Sequence, residues 1–238
     1  LLFLTPLFYY LPKAILASVI MVAVFGLIDW KEPLHLWKAD RSDFGMLIAT
    51  FLGTLILGIE MGIGLGVVLS LIMIIYETTR PHMASLGRIP GTSFYRNVER
   101  FENLEERPDL LVVRFDARLY FANTHYFQSK LTEWIKQKED DLRILIINAE
   151  SMNSLDSSAI HMLEEVVETM REKDRKIYFS NVKGPVRDLM LRGGLLDKVG
   201  ENNFFMTVQE AVDYYDASDP EARARYQKYT LQTNVKML

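Results

Sequence analysis

Two places in the chain hold residues whose type and spacing can do chemistry. The first is Glu60, the single charge in the apolar stretch Phe44–Tyr76, FGMLIATFLGTLILGIEMGIGLGVVLSLIMIIY. A carboxylate among membrane helices can take up and release a proton. At a glycine-flanked turn, Gly58-Ile59-Glu60-Met61-Gly62, it sits instead at an interface and stays solvated, and this placement favours the second role. The second place is Asp156-Ser157-Ser158, which follows the apolar run Ile144–Asn148 and a polar loop at the start of a helical pattern. Asp156 suits an N-cap, its carboxylate accepting from free backbone N–H groups, and Leu155 and Ile160 then stand at the staple positions N′ and N4. Ser157, at the positive end of that helix, can also receive a phosphoryl group of about −2 charge or face an anionic ligand or partner.

Other chemistries lack support. The chain has no cysteine, so disulfides, thiol nucleophiles and Cys-type zinc sites are excluded. His35, His82, His125 and His161 form no metal-ligand spacing. The glycines of Gly62–Val67, GIGLGV, lack the third glycine of a dinucleotide loop and are apolar on both sides. No phosphate loop, acidic cluster with a partner lysine, or nucleophile–base pair is visible, so no catalytic residue, metal, cofactor or nucleic-acid partner is expected and an enzyme is not.

The elements that position these residues divide the chain in two. Leu1–Tyr76 is almost uncharged, whereas the remainder carries most of the 27 Lys and Arg and 31 Asp and Glu residues. Leu1–Leu11 reads as the end of one membrane segment and Ala14–Ile28 as the next. The connector Asp29–Asp43, with Lys31, Lys38, Arg41 and two tryptophans, suits a loop against lipid headgroups, with a short amphipathic helix at Leu34–Lys38 as an alternative. Phe44–Tyr76 is too long for one span with a mid-membrane charge and reads as two short helices turning at Gly58–Gly62. Gly58, Gly62 and Gly66 follow small-xxx-small spacing, which lets helix backbones approach closely in lipid; otherwise they mark only the turn. The Lys/Arg bias places the connector and the charged remainder on the cytoplasmic side. Opening on Leu1 within an apolar run, the chain is expected to be the C-terminal part of a longer multi-pass protein of the inner or plasma membrane.

After a linker over 77–91, strand patterns at Leu110–Phe115, Ile144–Asn148 and Lys176–Asn181 alternate with helical ones at Asn123–Gln137, Ser157–Lys173, Pro185–Arg192 and Thr207–Tyr215. This alternation predicts an α/β domain over 92–215 built on a mostly parallel sheet, with a polar tail over 216–238.

The strand, polar loop and Asp-Ser-Ser-Ala helix start resemble the STAS domain, shared by anti-sigma-factor antagonists and by the tails of SulP/SLC26 anion transporters. The membrane part resembles the same transporters, through LTPLFYYLPKAILASVIMVAVFGLID and the Gly-Ile-Glu-x-Gly-Ile-x-x-Gly turn from Gly58 to Gly66, and so does RLYFANTHYF, Arg118–Phe127. The resemblance implies a secondary active transporter of an inorganic anion, sulfate before bicarbonate or dicarboxylates, coupled to H⁺ or Na⁺ or exchanging. It also implies a homodimer in a lipid bilayer, with this hairpin in the gate domain and the substrate-binding residues on helices upstream. In the antagonists the serine after the motif's Asp is phosphorylated, which maps onto Ser157. The rival reading is a membrane-anchored STAS signalling module of that antagonist type.

Overall fold

The computed structural model describes residues 13–217. The tail beyond 217 and the segment over Leu1–Leu11 therefore lie outside the described residues. The chain divides into two compact units, Leu1–Ile74 and Ile75–Leu238.

The first unit is helical. α1, Lys13–Phe25, is followed by α2, Lys31–Ala39, α3, Arg41–Leu57, and α4, which starts at Ile59 and runs to Thr79. The connector is more ordered than the loop expected of it. Asp29 Oδ1 accepts from the Lys31 N–H at 2.8 Å to start α2, and Asp40 Oδ1 accepts from Ser42 at 2.7 Å to start α3. Asp29, one position before the N-cap Trp30, thus satisfies the first N–H groups of α2, and Asp40 is the N-cap from which α3 restarts at once. The Trp37 ring stands edge-on to Phe44, 4.9 Å between centroids, with the Arg41 guanidinium 5.8 Å from the Trp37 ring.

The break between α3 and α4 is one residue, not a five-residue turn. Gly58 takes φ +91°, a left-handed conformation that glycine adopts freely, and the helix resumes at Ile59. α4 is consequently longer than the short helix expected, at 21 residues. That is about 31 Å, enough to cross a hydrocarbon layer. Glu60 lies in its first turn and is exposed, rather than in a loop.

The second unit is built on a six-stranded sheet of order β2-β1-β3-β4-β5-β6. The strands are β1 Met83–Arg88, β2 Tyr95–Asn97, β3 Leu110–Phe115, β4 Ile144–Asn148, β5 Lys176–Ser180 and β6 Phe204–Phe205. β1 pairs antiparallel with β2 and β3, and the pairs from β3 to β6 are parallel. β1 falls inside the stretch read as linker, so the sheet begins three residues after α4 ends.

Four helices, α5 Thr124–Lys138, α6 Ser157–Glu172, α7 Gly184–Arg192 and α8 Leu195–Val199, cover one face; α9, Val208–Asp216, covers the other. β4 shows why its sequence is apolar without alternation. Leu145 and Ile147 enter the core under the four helices, Ile144 and Ile146 the core under α9, and all four are fully buried. The parallel strands run the same way, so the loops at their carboxyl ends gather at one end of the sheet, where the candidate site lies.

Candidate functional site

The loop after β3 and the loop after β4 are tied together. Leu119 and Leu155 form an isolated parallel bridge, and the Leu119 N–H donates to Ser154 O at 3.2 Å. Asp156 completes the junction with both carboxylate oxygens. Oδ1 accepts from the Ala159 N–H at 2.8 Å, capping α6, and Oδ2 accepts from the Phe121 N–H at 2.8 Å in the other loop. Leu155 is buried and Ile160 packs on the same core, as a staple requires. Ser157 and Ser158 occupy the first turn of α6 and are exposed. The triplet is therefore split: one residue closes two loops, and two hydroxyls face solvent at a helix start. Phe121, 69% exposed, sits on the loop that Asp156 holds. Nothing in the segment Arg118–Phe127 marks Phe121 as exposed, since an aromatic between strand and helix is more often buried.

Behind this junction lies Asn123, fully buried. Its Oδ1 accepts from the Tyr120 N–H at 2.9 Å, and its Nδ2 donates to Arg118 O at 3.0 Å and to Thr78 O at 3.3 Å in the last turn of α4. The buried amide is satisfied at both ends, which fixes the passage from β3 into α5. Asp116, close in sequence, gathers Arg114 Nε at 2.6 Å and Nη2 at 2.9 Å, and His82 Nδ1 at 2.8 Å. Burial pushes this carboxyl up, but hydrogen bonds from Arg114, His82 and Ser151 outweigh it and hold the group below the ordinary carboxylate range.

A second polar cluster pins α9. Arg107 donates to both oxygens of Asp109, at 3.0 and 2.7 Å, and to both of Asp216, at 2.9 and 2.7 Å. These bonds raise the guanidinium pKa further and depress that of Asp109. Lys138 Nζ donates to Arg107 O at 2.5 Å, and burial lowers its pKa. Tyr95 donates to Gln209 Oε1 at 3.2 Å, and burial pushes its hydroxyl up to about 12. With acids and bases already paired, this cluster holds a helix and offers no free reactive group.

In the first unit the glycines divide by role. A Cβ on Gly62 would come within 2.6 Å of Thr54 Cα, one on Gly53 within 2.6 Å of Leu65 Cδ2, and one on Gly66 within 3.1 Å of Thr50 Cγ2. α3 and α4 therefore meet where side chains are absent. Gly58 takes no part in this contact: a Cβ there would meet nothing within 4 Å, and its place is set by the turn. Gly53 lies outside the Gly58–Gly66 spacing, since it is on the opposite helix, and so was not legible from one helix's pattern. Among the described residues no group of three or more His, Cys, Asp or Glu could hold a metal ion.

Comparison with known proteins accounts for both units. The model of the sulfate permease family matches residues 1–50, and the STAS domain model matches residues 102–211. Sulfate transporter 4.1, chloroplastic, of Arabidopsis thaliana is 35% identical over 221 residues, covering 89% of this chain and 32% of the relative. High affinity sulfate transporter 2 of Stylosanthes hamata is 32% identical over 223 residues, covering 90% of this chain and 34% of the relative. The chain thus spans about a third of the length of the relatives it matches. The solved structure of SLC26A9 superposes with a TM-score of 0.72 at 20% identity, over 92% of this chain and 37% of that one, and so shares its fold.

Proposed function

The chain belongs to the sulfate permease (SulP/SLC26) family, and from that premise we propose that its protein is a secondary transporter of an inorganic anion, sulfate first. The observation that carries this reading is the order of parts: a sulfate permease match, then an apolar helical hairpin, then a STAS domain. The named relatives are sulfate transporters.

The hairpin suits a scaffold against which other helices move. It is joined by a one-residue turn, packed through Gly53, Gly62 and Gly66, and between Phe44 and Tyr76 carries a single charge, Glu60, beside that turn. Glu60 lies in the first turn of α4, where the helix dipole favours a carboxylate, and anchors that end at the membrane surface. The anion is held by half-helix N-termini on other helices of the protein, as transporter physics favours. The STAS domain faces the cytoplasm, and the protein works as a homodimer with H⁺ or Na⁺ coupling or by exchange.

The deciding experiment is radiolabelled sulfate uptake into proteoliposomes holding the full-length protein, with and without an inward proton gradient. Gradient-stimulated uptake is the expected result. Absence of uptake with sulfate, bicarbonate and dicarboxylates alike would reject transport and leave the membrane-anchored signalling module, for which the exposed Ser157 beside the Asp156 cap is the favouring observation.

A further inference from the structure

α7 begins without a side-chain cap. Lys183, at its N-cap position, is extended, with φ −70° and ψ 148°, and makes no side-chain cap hydrogen bond. Gly184 and Pro185 open the helix, so Gly184 and Val186 supply the N–H groups of its first turn, proline having none. A Cβ added to Gly184 would meet no atom within 4 Å, so the space at this end of the helix is open.

Arg187 is the fourth residue of α7 and is only 7% exposed. Its Nε is enclosed without a hydrogen-bond partner, and among the described residues no carboxylate forms an ion pair with it. The guanidinium carbon stands 5.8 Å from the centre of the Phe204 ring, at the carboxyl end of the sheet that feeds α7. The face of that ring attracts the charge but accepts none of its N–H groups in an ordinary hydrogen bond. Helical side chains lean back toward their own N-terminus, so an arginine at the fourth position leans over the open first turn. Lys183 brings a second cation, its Nζ donating to Asn153 Oδ1 at 2.5 Å in the loop that leads to α6. A guanidinium whose enclosed Nε lacks an acceptor is costly to maintain, and an uncapped helix start leaves donors waiting; one anion satisfies both.

We propose that the first turn of α7 and Arg187 form a binding site for a tetrahedral oxyanion, sulfate or phosphate, on the STAS domain. The site lies in the second unit and does not depend on the transport reading. Two backbone N–H groups, a guanidinium and an ammonium match the charge and several acceptor oxygens of such an ion, whereas chloride offers no fork for a guanidinium to grip.

The test is amide hydrogen exchange, read at Gly184 and Val186, on the full-length protein in detergent with sulfate, phosphate or chloride at equal ionic strength. Sulfate, phosphate or both should slow exchange there at least about threefold relative to chloride. Slowing by one ion alone identifies the source. Equal exchange in all three salts overturns the proposal. Arg187→Met keeps the apolar stem and should lose the oxyanion effect. Lys183→Asp installs a carboxylate cap on the same N–H groups, and should raise Tm while abolishing the effect. Oxyanion slowing that persists in Lys183→Asp would place the ion elsewhere and overturn the assignment, even if Arg187→Met failed to fold.

Discussion

The two units bury opposite kinds of residue. In the hairpin, α3 and α4 meet at the buried Gly53 and Gly62, while Leu55, Ile56, Ile63 and Leu71 point away from that contact, toward lipid or other helices of the protein. In the second unit Phe115, Phe127, Leu145, Ile147 and Phe179 have no exposed surface. The difference is one of solvent. In water, large apolar side chains go inside because each contributes about 1.5–3 kcal/mol by leaving it. In lipid the surroundings are as apolar as leucine, so nothing drives large side chains inward, and the contact belongs to residues that let backbones touch.

Substitutions can break this comparison from either side. The largest expected effect is in the water-built core: Phe127→Ala, which also removes an edge-on contact with Phe115 at 5.3 Å, should destabilise the STAS domain by about 3–5 kcal/mol, read by denaturant melting. Gly62→Leu should separate α3 from α4, because even a Cβ there collides with the Thr54 backbone. It should lower the detergent Tm and dimer yield of the full-length protein, and wild-type values would refute close packing. A side chain at Gly58 should act differently, through backbone strain rather than a clash: φ +91° with ψ 169° is a conformation essentially reserved for glycine, so Gly58→Ala should lower the Tm although its Cβ would meet nothing within 4 Å.

Smaller effects sharpen the picture at the loop junction. Asp156→Ala should cost about 1–2 kcal/mol, since it removes the cap of α6 and the acceptor for Phe121 together. The carboxyls of Asp109 and Asp116 are depressed below their ordinary value of 3.8. Their contribution is therefore complete above that value and is lost as the pH falls through the lower folded values. A melting series from pH 6 down to pH 2 should show this loss, reduced in Asp116→Asn.

Much of this contrast was legible in the sequence, for identifiable reasons. The unbroken run Ile144–Asn148 announced a strand covered on both faces, and Asp156 with Leu155 and Ile160 announced a helix start. β1 was not legible: Met83–Arg88, MASLGR, holds a glycine, a serine and an arginine, and its burial comes from partners on either side. The connector reads as a loop with a short helix at Leu34–Lys38 as the alternative; the helix's full extent from Lys31 was not legible because Asp29 and Asp40 act through backbone geometry that composition does not reveal. The Asn123 network joins Tyr120, Arg118 and Thr78, and its longest link spans 45 positions of sequence, beyond the reach of local pattern.

The sheet ends on two short strands, three residues in β2 and two in β6. Tethered to a membrane, such domains meet one another at high local density, where a long open edge would invite strand-to-strand polymerisation. Edges this short offer no such template. Contact between copies, where it forms, is then left to helical or loop surfaces, which can be selective, and not to extending one sheet into the next.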